Sequence, residues 1–341
     1  MASTVGDRVF RTSTPEAIET DLAALWRELA QTRAPVARAV MSNLVVFRDR
    51  IAPPGADVEP VTSDLPDLPL EEVLARHPSR LIVLEHGHVD RMPAVPFAAG
   101  VGIAVFGPAN ARYGVEEIVA RSACAEASLP SMVRGFIRGD LPTTLWWTED
   151  LSQVPPFGAL VTMGRQLLYD SRQWRDVARG VRALAPLVGD RHADLADLNW
   201  RRLTPLRRAL DETRRARGVA APLPDANVRI AHRPGDAALA WLLAGALMAE
   251  QKKPAGQMPD VDESAPDGTV LLMTIQRGSS ETTVTLTTQR VVVEDHAGVS
   301  LVVSVPIEHA ADAVAAELRM LSQDATLGAA IRALDRHFNA R

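Results

Sequence analysis

The chain has 341 residues, 47% apolar and 23% charged, which is ordinary globular composition at a length sufficient for two domains. A net charge of −5 and a pI near 5.9 give no general attraction to nucleic acid or to an anionic membrane, so neither is expected as a partner. A single cysteine, Cys124, rules out an intrachain disulfide and a cysteine-rich metal site, and fits a reducing compartment.

The opening Met-Ala-Ser-Thr-Val-Gly-Asp carries no basic-plus-apolar leader, and a cytoplasmic location is expected. The first helix reads from Pro15 to Gln31, with Thr14 as cap and Ile18, Leu22, Leu25 and Leu29 as its apolar stripe. Asn43 to Phe47 reads as a strand. The proline- and acid-rich run from Pro53 to Pro69 reads as a surface connection, and Leu70 to Arg76 as a short helix. Leu81-Ile82-Val83-Leu84 is a short continuous apolar run, as expected of a strand buried on both faces. Phe97 to Phe106 and Gly114 to Ala123 are further strand candidates, followed by a helix from Leu129 to Arg138. Thr143 to Thr148 reads as a strand with Trp146 and Trp147 on opposite faces, one in the core and one needing a cover from a helix, a second domain or a partner. A helix around 157–164 then leads into the strand Gln166 to Tyr169. This alternation argues for an α/β layer with some parallel pairing.

Gln173 to Val188 reads as a helix, with Ser171 as its expected cap. Thr204-Pro205 opens an arginine-rich helix whose Leu206, Ala209, Leu210 and Thr213 share a face. Its Asp211 and Glu212 sit at spacings that pair with Arg207, Arg208, Arg214 or Arg215, which favours a solvated or protein-facing helix over a nucleic-acid surface. Asn227 to Ala231 is a short strand. Asp236 caps the apolar helix that follows, and its run Ala237 to Ala249 is shorter than the roughly 20 residues a membrane span needs. Lys252 to Gly268 reads as an exposed connection. Thr269 to Gln276, Thr282 to Thr288, Arg290 to Asp295 and Val299 to Val305 then read as an antiparallel meander, closed by helices from His309 to Leu321 and Asp324 to Phe338. The expected class is mixed α/β: two α/β domains, residues 1–172 and 173–341, the second with a largely antiparallel sheet and C-terminal helices.

Familiar catalytic signatures are missing. Gly100-Val101-Gly102 has Val105 where a dinucleotide fingerprint needs its third glycine, and there is no phosphate loop, His-Glu-x-x-His or Gly-x-Ser-x-Gly. His86, His88 and Asp90 are the nearest approach to a metal set, but no third ligand of the usual kind follows, and a polar loop is the favoured reading. No catalytic residue, metal or cofactor is expected.

Four motifs carry a resemblance. They are His77-Pro78-Ser79-Arg80 before an apolar strand, Asp140-Leu141-Pro142 leading to Leu145-Trp146-Trp147, Tyr169-Asp170-Ser171, and Asp197-Leu198-Asn199-Trp200-Arg201-Arg202-Leu203-Thr204 with Arg207. In this order they resemble the OpcA family, the glucose-6-phosphate dehydrogenase assembly proteins, from about residue 15 to the C-terminus. The resemblance implies a non-enzymatic protein that binds glucose-6-phosphate dehydrogenase, favours its active oligomer and raises its activity in the pentose phosphate pathway. It points to Arg80, Trp146, Trp147, Asn199, Trp200 and Arg201 as partner-binding positions. Contact with a partner and support of the fold are both open to these side chains, though tryptophan and arginine are enriched at binding hot spots. Some members in photosynthetic bacteria carry a thioredoxin-responsive cysteine switch. With Cys124 alone, an internal dithiol switch is chemically excluded here. The reading from another class is a sugar-phosphate sensor or enzyme using the arginines near Trp200 and the strand end at Asp170.

Overall fold

The computed structural model describes residues 6–32, 35–49, 65, 67–87, 98–122, 125–189, 193–216, 226–251, 258–295, 298–320 and 324–340. The elements of the first sheet are β1 (Gly6–Ser13), α1 (Ile18–Thr32), β2 (Ala37–Arg38), β3 (Ser42–Asp49), α2 (Leu70–Arg76), β4 (Ser79–His86), β5 (Ala98–Phe106), β6 (Tyr113–Ser122), α3 (Leu129–Arg134), β7 (Thr143–Trp147), α4 (Gly158–Val161), β8 (Gln166–Tyr169), α5 (Val177–Leu184) and β9 (Asp194–Asp197). Then come α6 (Leu198–Arg201), α7 (Thr204–Ala216), β10 (Asn227–His232), α8 (Ala237–Gln251), β11 (Asp260–Asp262), β12 (Thr269–Arg277), β13 (Ser280–Thr287), β14 (Arg290–Asp295), β15 (Gly298–Ser304), α9 (Ala310–Arg319) and α10 (Ala325–Asn339).

The first sheet has the order β1-β5-β6-β4-β3-β7-β8-β9, with β2 on β6. From β6 to β9 every neighbour is parallel, and β5 and then β1 add antiparallel strands at one edge. Alternate residues of the central strands enter two separate cores. Val45, Phe47, Ile82, Leu84, Leu145 and Trp147 face one side, while Leu44, Val46, Leu81, Val83 and Trp146 face the other. Helices cover both faces, so these strands read as unbroken apolar runs. The stripe of α1 closes the first face; α2 and α9 close the second.

The second sheet, β11-β10-β12-β13-β14-β15, is antiparallel except for β11 on β10. Its inward residues, among them Met273, Val284, Leu286, Val291 and Val293, join the first core. The helix α8 is apolar on all sides because it is buried on all sides. It meets α10 so closely that a Cβ at Gly245 would lie 2.7 Å from the carbonyl oxygen of Ala330.

Four differences from the sequence reading have local causes. The N-terminal segment forms β1, whose Phe10 ring lies on Gly100 and Gly102; a Cβ at Gly100 would sit 2.4 Å from Phe10 Cζ. These glycines therefore admit a neighbouring side chain and do not belong to a phosphate loop. The connection after α8 contains β11, held to β10 through Arg229 and Asp262 at 2.7 Å. The third helix stops at Arg134, where Gly135 and Phe136 make tight turns. Finally, β4 continues through His86, so that ring is buried in the strand rather than in a polar loop.

Candidate functional site

The parallel register of β8 and β9 sets Tyr169 beside Asp197 and so brings two of the sequence motifs together. Asp197 is the cap of α6: its Oδ1 accepts from the backbone N–H of Asn199 at 2.9 Å and of Ser171 at 3.0 Å. The Asn199 side chain donates through Nδ2 to Ser171 Oγ at 3.0 Å and accepts from Arg202 Nη1 at 2.8 Å. Ser171 is thus a buried partner of Asn199 and not the cap of the following helix. Trp174 is extended, which ends the first short turn, and α5 starts only at Val177 with Asp176 as its cap. Burial pushes the Asp197 carboxyl up to about 7 against these two backbone bonds, and neighbouring Asp170 adds to the rise. The Tyr169 phenol is raised well above its ordinary value by burial, with Asp197 and Asp324 reinforcing the shift.

From this corner the next residues reach the C-terminal elements. Trp200 Nε1 donates to Asp324 Oδ2 at 2.7 Å, while Asp324 Oδ1 caps α10 by accepting from Thr326 and Leu327 N–H. The Arg207 guanidinium lies 4.4 Å from the centre of the Trp200 ring, within cation–π range, and 3.4 Å from Asp324. Burial alone would raise the Asp324 carboxyl, but these donors and Arg207 outweigh it and hold the group below its usual range. Arg201 Nε donates to both carboxylate oxygens of Glu308, at 2.9 and 2.8 Å, and Nη1 donates to Glu317 at 2.8 Å. Arg202 pairs with Asp236 just before α8, also at 2.8 Å. The corner therefore ties the last strand of the first sheet to α8, α9 and α10.

A second network sits on β4 and β6 of the same sheet, toward the amino ends of the parallel strands. Arg80, beside the fully buried Glu116 of β6 at 3.3 Å, also pairs with Glu19 of α1. Glu116 further accepts from Trp26 Nε1 at 2.8 Å and pairs with Arg38 and Arg138. The adjoining Glu117 is equally buried and is forked by Arg8. Ser42 Oγ links His77 and Ser79, and Asn43 Nδ2 donates to the carbonyls of Arg138 and Leu141 and to Thr143 Oγ1. Burial, and secondarily Arg319, lowers the His77 pKa.

Of the six residues singled out from the sequence, Arg80, Trp146, Trp147, Asn199 and Trp200 are buried, and the Arg201 side chain is 25% exposed. The structure gathers Asn199, Trp200 and Arg201 in one corner after β9; Arg80 lies on β4, and the tryptophan pair on β7 stands between in the strand order. Trp147 stacks on Phe47 at 3.8 Å and donates to the Val154 carbonyl. Trp146 is covered by this chain itself, in a cluster with Leu168, Leu198, Val314 and Leu318 that includes α9. The reading along the chain missed Glu116, Glu117 and Glu308. Two adjacent carboxylates inside an apolar strand were the available signal for the first two, since buried carboxylates need cationic partners.

At the carboxyl ends of β3 and β7 the strand order reverses, the usual place for a ligand in an open α/β sheet. Here Glu149 accepts from the Asp49 N–H at 3.0 Å, and its carboxyl is raised by burial. Phe157 packs edge-on against both Phe47 and Trp147. Carboxylates and packed rings suit a phosphate poorly. His86 packs against Phe157, while His88 and Asp90 lie outside the described residues, as does Cys124. Among the described residues no group of three His, Cys, Asp or Glu could hold a metal ion, and no helix is long and apolar enough to cross a membrane.

Two family models match the chain in order. One covers residues 70–186 and is described as the N-terminal domain of the glucose-6-phosphate dehydrogenase subunit. The other covers residues 193–331 and is described as the C-terminal domain of the same protein. No curated protein matches. Among solved structures, the UDP-N-acetylglucosamine 3-dehydrogenase GnnA of Acidithiobacillus ferrooxidans aligns at 12% identity over 89% of this chain and 97% of its own, with a TM-score of 0.42. An oxidoreductase from Thermotoga maritima aligns at 9% identity over 87% of this chain and 96% of its own, with a TM-score of 0.39.

Proposed function

The chain belongs to the OpcA family of glucose-6-phosphate dehydrogenase assembly proteins, and from that membership we propose that it is a non-catalytic assembly factor acting in the cytoplasm. It binds glucose-6-phosphate dehydrogenase and favours the active oligomer. To activate, it must bind the active state more tightly than the inactive one, since a ligand shifts an equilibrium only by its differential affinity. The observation that carries the reading is the ordered match of both family models to one chain. Of the six motif residues, five are packed inside this chain and hold its fold, and Arg201 alone is partly exposed and open to a partner.

The sugar-phosphate reading has less support. Arg201, Arg202 and Arg207 are already engaged by Glu308, Glu317, Asp236 and Asp324, and a phosphate would have to displace those carboxylates.

The test is a titration of the dehydrogenase from the same organism with this protein, with size-exclusion chromatography on the same samples. Co-elution with a saturable rise in rate is expected. Folded preparations that neither co-elute nor change the rate would overturn the reading and bring glucose 6-phosphate calorimetry forward. With one cysteine, activation is expected to persist under a dithiol reductant; loss on adding it would contradict that.

A further inference from the structure

We propose that the outer face of the second sheet, centred between β12 and β13, pairs face to face with the same face of a second copy of this chain. The strand registers set its side chains side by side. One row runs Arg229, Thr274, Thr283 and Glu294 across β10, β12, β13 and β14. The next runs Ala231, Leu272, Thr285, Val292 and Val302, and so reaches β15. Their neighbours along the strands, among them Ile230, Met273, Val284 and Val293, point into the core, so both rows lie on the other face. Leu272, Val292 and Val302 belong to neither hydrophobic core, and Val302 is 53% exposed. Between Arg229 and Glu294 the two rows hold only threonine and apolar side chains. The centre of an interface is depleted of charge in this way, with its charges at the rim.

The occupant follows from the charges. Arg229 Nε donates to Asp262 at 2.7 Å and Nη2 to Ser264 at 3.2 Å, which fixes the guanidinium. Among the described residues its Nη1 has no partner, and neither has the exposed carboxylate of Glu294. These two opposite charges stand at the two ends of one row, equally far from its centre. A two-fold axis along the strands, between β12 and β13, lays β10 of one copy over β14 of the other and brings Arg229 to Glu294 twice. The same axis sets Thr274 on Thr283, Leu272 on Thr285 and Ala231 on Val292. An axis across the strands sets Glu294 on Glu294, or on Val292, and is disfavoured on either count. Packed sheets lie about 10 Å apart and turned by about 30°, a gap that an arginine and a glutamate span together. Five strands about 4.8 Å apart and about 24 Å long offer roughly 600 Å² per copy. A pair buries about 1,200 Å², the lower end of the range for a specific interface.

The experiment measures self-association of the full chain by sedimentation velocity over a range of concentrations, and it does not depend on the dehydrogenase reading. The wild-type chain is expected to dimerise. Glu294→Arg and Arg229→Glu each set like charges together twice per pair, and each is expected to weaken the dimer by about tenfold or more. The double variant restores opposite charges and is expected to recover most of that loss. Val292→Asp, which buries a charge at the centre, is expected to weaken the dimer as strongly. Arg229→Glu also faces Asp262, so circular dichroism and thermal melting check folding; should it fail to fold, Glu294→Arg and Val292→Asp decide. A wild-type chain that stays monomeric at about 100 μM, well above the micromolar range of such interfaces, would overturn the proposal. So would a dimer that Glu294→Arg and Val292→Asp both leave within about twofold. A double variant no tighter than either single one would overturn the two-fold pairing. Loss of dehydrogenase binding in Glu294→Arg, with self-association unchanged, would assign the face to that partner and overturn the pairing of copies.

Discussion

The Arg80–Glu116 cluster, on β4 and β6, and the Asn199–Trp200 corner, at the carboxyl ends of β8 and β9, belong to one sheet and solve burial differently. The first is ionic: Glu116 is surrounded by Arg38, Arg80 and Arg138, and all partners belong to the first sheet and its flanking segments. The second is mostly hydrogen-bonded at its centre, with an amide, a hydroxyl and an indole, and it places its ion pairs at the rim, on elements far along the chain. A buried charge cluster fixes what it touches but tolerates no missing member. A capped corner with rim ion pairs joins separate elements and can lose a rim contact cheaply. Local integrity of the sheet should therefore depend on the first, and the placement of α9 and α10 on the second.

The largest effect that tests this contrast is Glu116→Ala. It leaves the fully buried Arg80 without its closest buried partner and should cost about 3–5 kcal/mol, read by urea unfolding. A loss below about 1 kcal/mol would mean the cluster is solvated and the contrast is wrong. Asn199→Ala should cost about 1–3 kcal/mol by stranding Ser171 Oγ and the Arg202 contact. Hydrogen exchange should show the loosening at the start of α10; loosening confined to the Arg80 cluster would break the assignment.

The next effect is in pH. The folded Asp197 carboxyl, at about 7, sits above its unfolded value, so the folded state holds the extra proton. Its contribution to stability is full below the unfolded pKa and is lost as pH rises toward and through about 7. Between pH 6 and pH 8 that loss is about 1 kcal/mol. His77, lowered by burial, slopes the opposite way, so the quantity to measure is wild type minus Asp197→Asn. Parallel stability curves for the two proteins over this range would remove Asp197 as the titrating group. The smallest effect on folding is expected from Arg201→Ala. Its partly exposed ion pairs are worth less than about 1 kcal/mol, so thermal melting should barely move while dehydrogenase binding weakens. An unchanged Kd would remove Arg201 from the partner-binding positions.

Much of the architecture was legible along the chain. Continuous apolar runs such as Leu81–Leu84 marked strands covered on both faces, the four-three-four stripe of α1 marked its buried side, and alternation in Val284 and Leu286 marked a sheet with one core face. These are short-range patterns set by the period of the backbone. The reading failed where a partner distant in sequence decided the outcome. β1 is a strand because β5 offers it an edge and two glycines admit Phe10, and β11 forms inside a polar run because Arg229 meets Asp262. Ser171 became a ligand of Asn199 once parallel pairing set β8 against β9.

The candidate site divides along the same line. Residue types and spacing alone determined that Asp197 to Arg207 is a dense polar and aromatic corner, and that no internal disulfide exists. Only tertiary structure decided that Trp200 belongs to Asp324, that Arg201 holds Glu308, and that Trp146 is covered by α9. The physical reason is that a side chain's burial and charge partner depend on which distant segments the sheet brings within a few ångströms, and local propensity carries no record of that.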